Sequence, residues 1–180
     1  MGAEASRARG LAGQSSRRSP TVGHVNSQTT PPDDGASLDG GLRTSRPPAS
    51  FVPVHRWVID SLGELSALRH ALQDQINTRD HAATDRDLGQ VAQDLVLVAS
   101  ELATNAIRHG RPPTIVQLLQ DGPRFLLTVA DRDLGSEPRI AGDRPPGEGG
   151  FGLQIARRLS REVGWYRTDA VKVIWAEIGA

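Results

Sequence analysis

The sequence lacks cysteine altogether, and Lys172 is the one lysine among its 21 basic residues. The absence of cysteine excludes disulfide bonds, thiolate metal sites and cysteine nucleophiles. The 21 acidic residues balance the basic ones, so no net charge favours nucleic acid or an anionic membrane. No apolar run approaches the roughly 20 residues of a membrane span, and no secretory signal is visible near the N-terminus. We therefore expect a cytoplasmic protein that binds neither membranes nor nucleic acid directly.

Residues 1–50 contain few aliphatic side chains and many residues that favour disorder. Eight serines, seven glycines and five prolines fall in this segment. Such a composition buries too little apolar surface to offset the entropy that is lost on ordering. We therefore expect a disordered Gly/Ser/Pro-rich tail over residues 1–50 and a folded domain over residues 51–180.

The first half of the expected domain shows one strand and two helices. Residues 51–59 are rich in β-favouring side chains, and Pro53 is typical of an edge strand. Apolar residues then recur at helical spacing as far as residue 76. A long helix begins near residues 84–87 and ends at Gly110, before two prolines.

The second half adds two hairpins and one helix. Residues 114–120 and 125–130 flank a turn sequence and predict the first hairpin. Residues 132–149 are rich in glycine and proline and predict a mobile loop, the position of a nucleotide lid. An amphipathic helix and a last hairpin follow. This order predicts an α/β (α+β) sandwich, with a mixed, mostly antiparallel sheet and helices packed on one face.

Three polar stretches could complete one site. Glu101, Asn105 and His109 recur every fourth residue, on or beside the apolar stripe of the long helix. Buried polar groups are costly unless they are satisfied, so a polar partner must meet them there. Asp131 follows a run of strand residues, and the glycine-rich stretch 147–152 opens a helix. An acidic helix face, an aspartate at a strand end and a glycine loop together suit a Mg²⁺-bound nucleotide.

Two other kinds of site fit the same residues less well. The stretch 147–152 also matches the G-x-G-x-x-G pattern of dinucleotide-binding domains, but Pro145 and Pro146 stand where that fold needs a strand. A zinc site would need further histidine or carboxylate ligands at suitable spacing beside His109. Neither explanation accounts for all three stretches.

The spacing Glu101-x-x-x-Asn105-Ala-x-x-His109-Gly, then Asp131, then Gly150-x-Gly152-Leu153, resembles the conserved boxes of GHKL (Bergerat-fold) ATPases. The branch that it is most similar to is that of the single-domain anti-sigma-factor serine/threonine kinases. The resemblance covers about residues 51–180. It implies a histidine-kinase-like ATP-binding domain with ATP and Mg²⁺ as cofactors.

The resemblance also implies a role for each matching residue. Glu101 is the expected catalytic base, and Asn105 the expected Mg²⁺ ligand. Asp131 is expected to accept a hydrogen bond from the adenine amino group. The remaining expected nucleotide-binding residues are His109, Gly135, Gly150, Gly152 and Leu153.

The partners are likewise implied by the resemblance. It implies phosphoryl transfer from ATP to a serine or threonine of an anti-sigma-factor antagonist, with a sigma factor as a second partner. Members of this branch often form homodimers. A non-catalytic ATP-binding regulator that acts through protein–protein contacts is the alternative.

Two positions depart from the pattern of that branch. Asp133 stands where the pattern often has a glycine, and Val173 stands in the apparent place of a threonine that follows a lysine, here Lys172. These departures leave the alternative of a non-catalytic regulator open. The second departure also predicts that a hydroxyl-mediated contact with adenine at position 173 is absent or rebuilt.

Overall fold

The computed structural model of the protein describes residues 41–78, 85–140 and 151–179. In chain order the elements are β1 (Val52–Ile59), α1 (Leu65–Asn77), α2 (Asp85–His109), β2 (Thr114–Asp121), β3 (Arg124–Asp131), α3 (Phe151–Leu159), β4 (Glu162–Arg167) and β5 (Lys172–Gly179). A short 3-10 turn, Leu62–Glu64, precedes α1. No helix in these ranges has both the length and the apolar content needed to cross a membrane.

The five strands form one sheet in the order β1-β2-β3-β5-β4. Each neighbouring pair is antiparallel. Strands β2 and β3 are joined by a tight turn in which Gly122 has φ of +58°, a conformation that glycine adopts without a Cβ clash. The predicted α/β sandwich is confirmed, and β1 is an edge strand as Pro53 indicates. The five named strands pair in the antiparallel sense, and one parallel bridge joins Thr44 to Trp165 at the edge of β4.

All three helices pack on one face of the sheet. Helix α2 contributes Leu95, Val98 and Leu102, each with no measurable exposure, because its apolar residues recur at the helical period. Helices α1 and α3 lie against α2. From the sheet, Phe125, Leu127 and Val129 of β3 and Ile174, Ala176 and Ile178 of β5 join the same core. Fully burying a side chain of this size stabilises the fold by about 1.5–3 kcal/mol.

The segment before β1 packs against the edge of β4 and, at its end, on the face of the sheet opposite the helices. Residues 41–51, here called the N-terminal strap, run from the edge of β4 to the start of β1. Phe51 of the strap packs with Leu126 and Trp175, which alternate with the helix-facing residues of β3 and β5. The sheet is therefore apolar on both faces along two of its interior strands, β3 and β5.

Two tryptophans fix the path of the N-terminal strap. The indole N–H of Trp165 donates to the carbonyl of Leu42 (3.0 Å), and the indole N–H of Trp175 donates to the carbonyl of Ser45 (2.7 Å). The backbone N–H of Ser45 also donates to the carbonyl of Trp165 (2.9 Å). Buried indole groups need such acceptors, and the strap supplies them.

Most of the N-terminal strap lies within the segment that we expected to be a disordered tail. Residues 41–50, which the composition assigns to the tail, contact the sheet, so the packed chain begins upstream of residue 51. Leu42 is only 8% exposed despite its Gly/Ser/Pro-rich surroundings. Residues 1–40, the rest of the expected tail, lie outside the described residues.

We predict that Gly164→Ala destabilises the protein by about 1–3 kcal/mol, the usual cost of overpacking a core. A Cβ at this buried position would lie 2.7 and 2.8 Å from ring carbons of Trp175 and would also clash with the hydroxyl of Ser45. The measurement is the free energy of unfolding in urea.

The matched control for that variant is Gly89→Ala in α2, where an added Cβ meets no atom within 4 Å. This control should be stabilising by about 0.5–1 kcal/mol, because alanine loses less backbone entropy in a helix. Equal stability of Gly164→Ala and the parent would contradict the packing described for the strap.

Candidate functional site

Two polar side chains lie on one face of α2 near its C-terminal end. Glu101 and Asn105 lie one helical turn apart, and both are half-buried. Their neighbours Leu102, Ala103 and Ala106 are buried in the core. The same apolar period that docks the helix therefore holds the carboxylate and the amide at the rim of the core.

The first turn of α3 lies directly on this pair. A Cβ placed on Gly152 would be 2.8 Å from Nδ2 of Asn105 and 3.0 Å from Oε2 of Glu101. Distances this short mean that only a glycine lets the α3 backbone approach so closely. The first N–H groups of a helix have no partner within it and favour anions. The structure thus brings Gly152, Glu101 and Asn105 together, although they are far apart in the sequence.

Asp131, at the end of β3, lies next to the end of α2. Its side chain is 5% exposed, and one carboxylate oxygen, Oδ1, accepts the backbone N–H of Asp133 (2.7 Å). The other oxygen faces Gly110, where a Cβ would lie 2.8 Å from Oδ2. The backbone N–H of Arg132 donates to the carbonyl of Arg111 (2.9 Å). These contacts join the residues that follow α2 to the end of β3.

Lys172, at the start of β5, is the cross-strand partner of Asp131. Its ammonium lies 3.4 Å from Oδ2 of Asp131, 3.4 Å from Oδ2 of Asp133 and 3.2 Å from the hydroxyl of Ser136. Val173, by contrast, pairs with Ala130 and lines the opposite side of the sheet. The residue that meets Asp131 is therefore Lys172, and the threonine place that we assigned to Val173 faces away from the site.

Asp133 is ionised more readily than an ordinary aspartate. The hydroxyl of Ser136 donates to its carboxylate and lowers its pKa below the ordinary value of 3.8. The backbone N–H of Gly135 (3.2 Å) and the charge of Lys172 act in the same direction. Part of the expected mobile loop is thus tied to β5 through Asp133, whereas residues 141–150 lie outside the described residues.

The other expected nucleotide-binding residues occupy varied positions. His109 is exposed at the end of α2, and Gly135 is exposed in the loop after β3. Leu153 is 4% exposed and belongs to the core. Gly150 lies outside the described residues. Sequence reasoning did not predict that Gly110 lies against Asp131 or that Ser136 bonds Asp133, because such contacts have no signature in a single sequence.

The arrangement fits a nucleotide with Mg²⁺. Because Gly152 has no side chain, the backbone N–H groups at the start of α3 lie beside the half-buried amide of Asn105 and carboxylate of Glu101. Backbone N–H groups at a helix start bind phosphate, and amide and carboxylate oxygens bind its metal. Within the described ranges no three His, Asp or Glu residues are gathered as a metal site. A metal here would therefore be held by Asn105 together with nucleotide phosphates, as Mg²⁺ usually is.

We predict that Gly152→Ala weakens binding of Mg²⁺·ADP about 10- to 100-fold, because losing one hydrogen bond to a charged group costs roughly this much affinity. The added methyl group would push Glu101 and Asn105 away from α3. Calorimetric titration of the full chain measures this change. Gly63→Ala is the control, since an added Cβ there meets only the hydroxyl of Ser61, at 3.8 Å. Unchanged affinity in Gly152→Ala would remove α3 from the site.

The fold was compared with solved structures. The RsbU and RsbW domains of Rv1364c from Mycobacterium tuberculosis give a TM-score of 0.48 at 18% identity, over 71% of this chain and 33% of that one. This chain thus spans about a third of that structure's length. The Acinetobacter baumannii histidine kinase AdeS gives a TM-score of 0.37 at 14% identity, over 71% of this chain and 68% of that one.

The sequence was also compared with protein families and with curated proteins. No curated protein matches it. The family model described as a histidine kinase-like ATPase domain matches residues 60–178, which contain α1, α2, α3, β2, β3, β4 and all of β5 except its last residue. The match includes Glu101, Asn105, Asp131 and Gly152. The chain therefore belongs to the histidine kinase-like ATPase domain family, and this membership implies that it binds ATP.

Proposed function

We propose that this protein is an Mg²⁺·ATP-dependent serine/threonine protein kinase of the anti-sigma-factor type. The observation that carries the proposal is the contact of Gly152 with both Glu101 and Asn105. It supports a single site in which a helix N-terminus, a metal-binding amide and a carboxylate act on the same phosphate. The order and spacing of the matching residues support the anti-sigma type.

Binding is assigned to three groups of this chain. Asn105 would supply its amide oxygen to Mg²⁺, which would neutralise charge on the phosphates. The free N–H groups at the start of α3 would hold a phosphate. Asp131, buried at the end of β3, would accept a hydrogen bond from the amino group of adenine. These contacts would fix the nucleotide at its base and its phosphates.

Glu101 is assigned to the transfer step. Its carboxylate would take the proton of the incoming serine or threonine hydroxyl. The hydroxyl oxygen then forms a bond to the terminal phosphorus, and the bond from that phosphorus to the oxygen of ADP breaks. Half-burial beside the core restricts the rotamers of Glu101, which favours a fixed position for this proton transfer.

The partners follow from the proposed type. The phosphorylated protein would be an anti-sigma-factor antagonist, and a sigma factor would bind as the second partner. A non-catalytic regulator would bind ATP with the same residues and transfer nothing. The two functions differ in the fate of the terminal phosphate, which can be followed directly.

We predict different effects for the two α2 side chains. Glu101→Gln should keep most of the affinity for Mg²⁺·ATP but slow transfer by about 10²–10⁴, the usual range for losing a general base. Asn105→Ala should instead lower affinity for Mg²⁺·ATP while changing affinity for metal-free ATP little. The measurements are calorimetric affinities and transfer of labelled phosphate to an anti-sigma-factor antagonist.

Controls for these variants are Glu162→Gln on β4 and Asn77→Ala at the end of α1, both exposed. Neither should alter binding or transfer. Full-rate transfer by Glu101→Gln would exclude Glu101 as the base. If the parent binds ATP but phosphorylates no antagonist, the non-catalytic regulator replaces the kinase.

A further inference from the structure

Lys172 is a buried cation without an assigned role in nucleotide binding. It is the one lysine of the chain, and its side chain is 8% exposed. Among the described residues it is the only buried lysine or arginine. Burying an ammonium is costly unless oxygen atoms surround it, and here the oxygens come from Asp131, Asp133 and Ser136.

The contacts of Lys172 restrict the carboxylate of Asp131. Its Oδ1 accepts the N–H of Asp133, and its Oδ2 faces the ammonium of Lys172 on one side and Gly110 on another. A carboxylate held in this way has a fixed plane. A carboxylate accepts hydrogen bonds and donates none.

We propose that Lys172 sets the base selectivity of the site by keeping Asp131 a fixed hydrogen-bond acceptor. The inference rests on the proposed function, in which Asp131 contacts the base. Adenine offers an amino donor at its 6-position, whereas hypoxanthine and guanine offer a carbonyl acceptor there. An ionised carboxylate therefore favours the 6-amino purine and opposes the 6-oxo purines. Lys172 acts through Asp131 and is a positioning residue.

Removal of the cation would release the carboxylate of Asp131 from its present orientation. The carboxylates of Asp131 and Asp133 both lie 3.4 Å from the same ammonium, so without it two negative groups would face each other and repel. Arg111 and Arg132 from the adjoining loops and Arg167 of β4 are exposed and compensate poorly. A displaced carboxylate would accept a hydrogen bond from the 6-amino group less well, so the preference for adenine would fall.

A purely structural role for Lys172 makes a different prediction. The ammonium also ties Asp133 and Ser136 to β5, and loss of that link would loosen the loop without changing Asp131. Asp133→Asn separates the two roles. It removes one charged partner of Lys172 but leaves the Lys172–Asp131 contact and the backbone N–H of residue 133 in place.

The experiment compares Kd values of Mg²⁺·ATP and Mg²⁺·ITP for the full-length parent and for Lys172→Met, Lys172→Arg and Asp133→Asn. The parent should prefer ATP about 10- to 100-fold, the usual value of a hydrogen bond to a charged group. Lys172→Met should lose most of this preference. Lys172→Arg, which keeps the charge, and Asp133→Asn should each retain most of it.

Because Lys172→Met leaves carboxylates buried and can fail to fold, the parent provides a second readout. Lysine labelled at its side-chain nitrogen gives one signal in this chain. Mg²⁺·ADP should shift that signal strongly, and Mg²⁺·IDP should shift it less.

Three results would overturn the inference. One is an ATP preference in a folded Lys172→Met equal to that of the parent. A second is an equal loss of preference in Asp133→Asn and Lys172→Met. The third is a lysine signal that does not respond to Mg²⁺·ADP. A parent that binds neither nucleotide would refute the proposed function itself, so the two failures are distinguishable.

Discussion

The close approach of α3 to the polar end of α2 is the constraint on which the candidate site depends. Gly152 lies where any side chain would meet Glu101 and Asn105. The same approach packs Leu153 and Ala156 of α3 into the core with the apolar stripe of α2. Core packing and the site are therefore coupled, because the residue pattern that docks the two helices also brings the first turn of α3 to the amide and the carboxylate.

The base end of the site depends on a second constraint, which is electrostatic. Asp131 and Lys172 face each other across β3 and β5, and both are buried. Each charge is tolerated there because the other is present and because Asp133 and Ser136 complete the network. The antiparallel register sets this pairing, since a shift of one residue would turn Lys172 to the opposite face and bring Val173 beside Asp131.

Much of the fold could be predicted because its signals are local. The apolar period of α2, the turn at Gly122–Pro123 and the β-rich segment around Pro53 each lie within a few residues. The role of the N-terminal strap could not, because it depends on tertiary contacts. Trp165 and Trp175 supply donors to the carbonyls of Leu42 and Ser45, and nothing in a Gly/Ser/Pro-rich composition indicates such partners.

The candidate site was predictable to a similar extent. Glu101 and Asn105 share a helix, so their common face follows from the helical period alone. Their contact with Gly152 depends on how α3 docks, and the resemblance to a family supplied that expectation. The sequence pattern placed the nucleotide contact at position 173, whereas Lys172 is the residue that lies beside Asp131, because strand register is a non-local property that periodicity does not determine.

The central claim is that α2 and the first turn of α3 hold one metal–nucleotide complex. Nuclear magnetic resonance of the full chain with ADP and paramagnetic Mn²⁺ in place of Mg²⁺ tests it most directly. The account predicts that the side-chain amide of Asn105 and the backbone N–H of Gly152 broaden first and together. Signals of the turn between β2 and β3, such as that of Gly122, should broaden least, because this turn lies at the opposite end of β3 from Asp131. Broadening centred elsewhere, with Asn105 and Gly152 unaffected, would contradict the account.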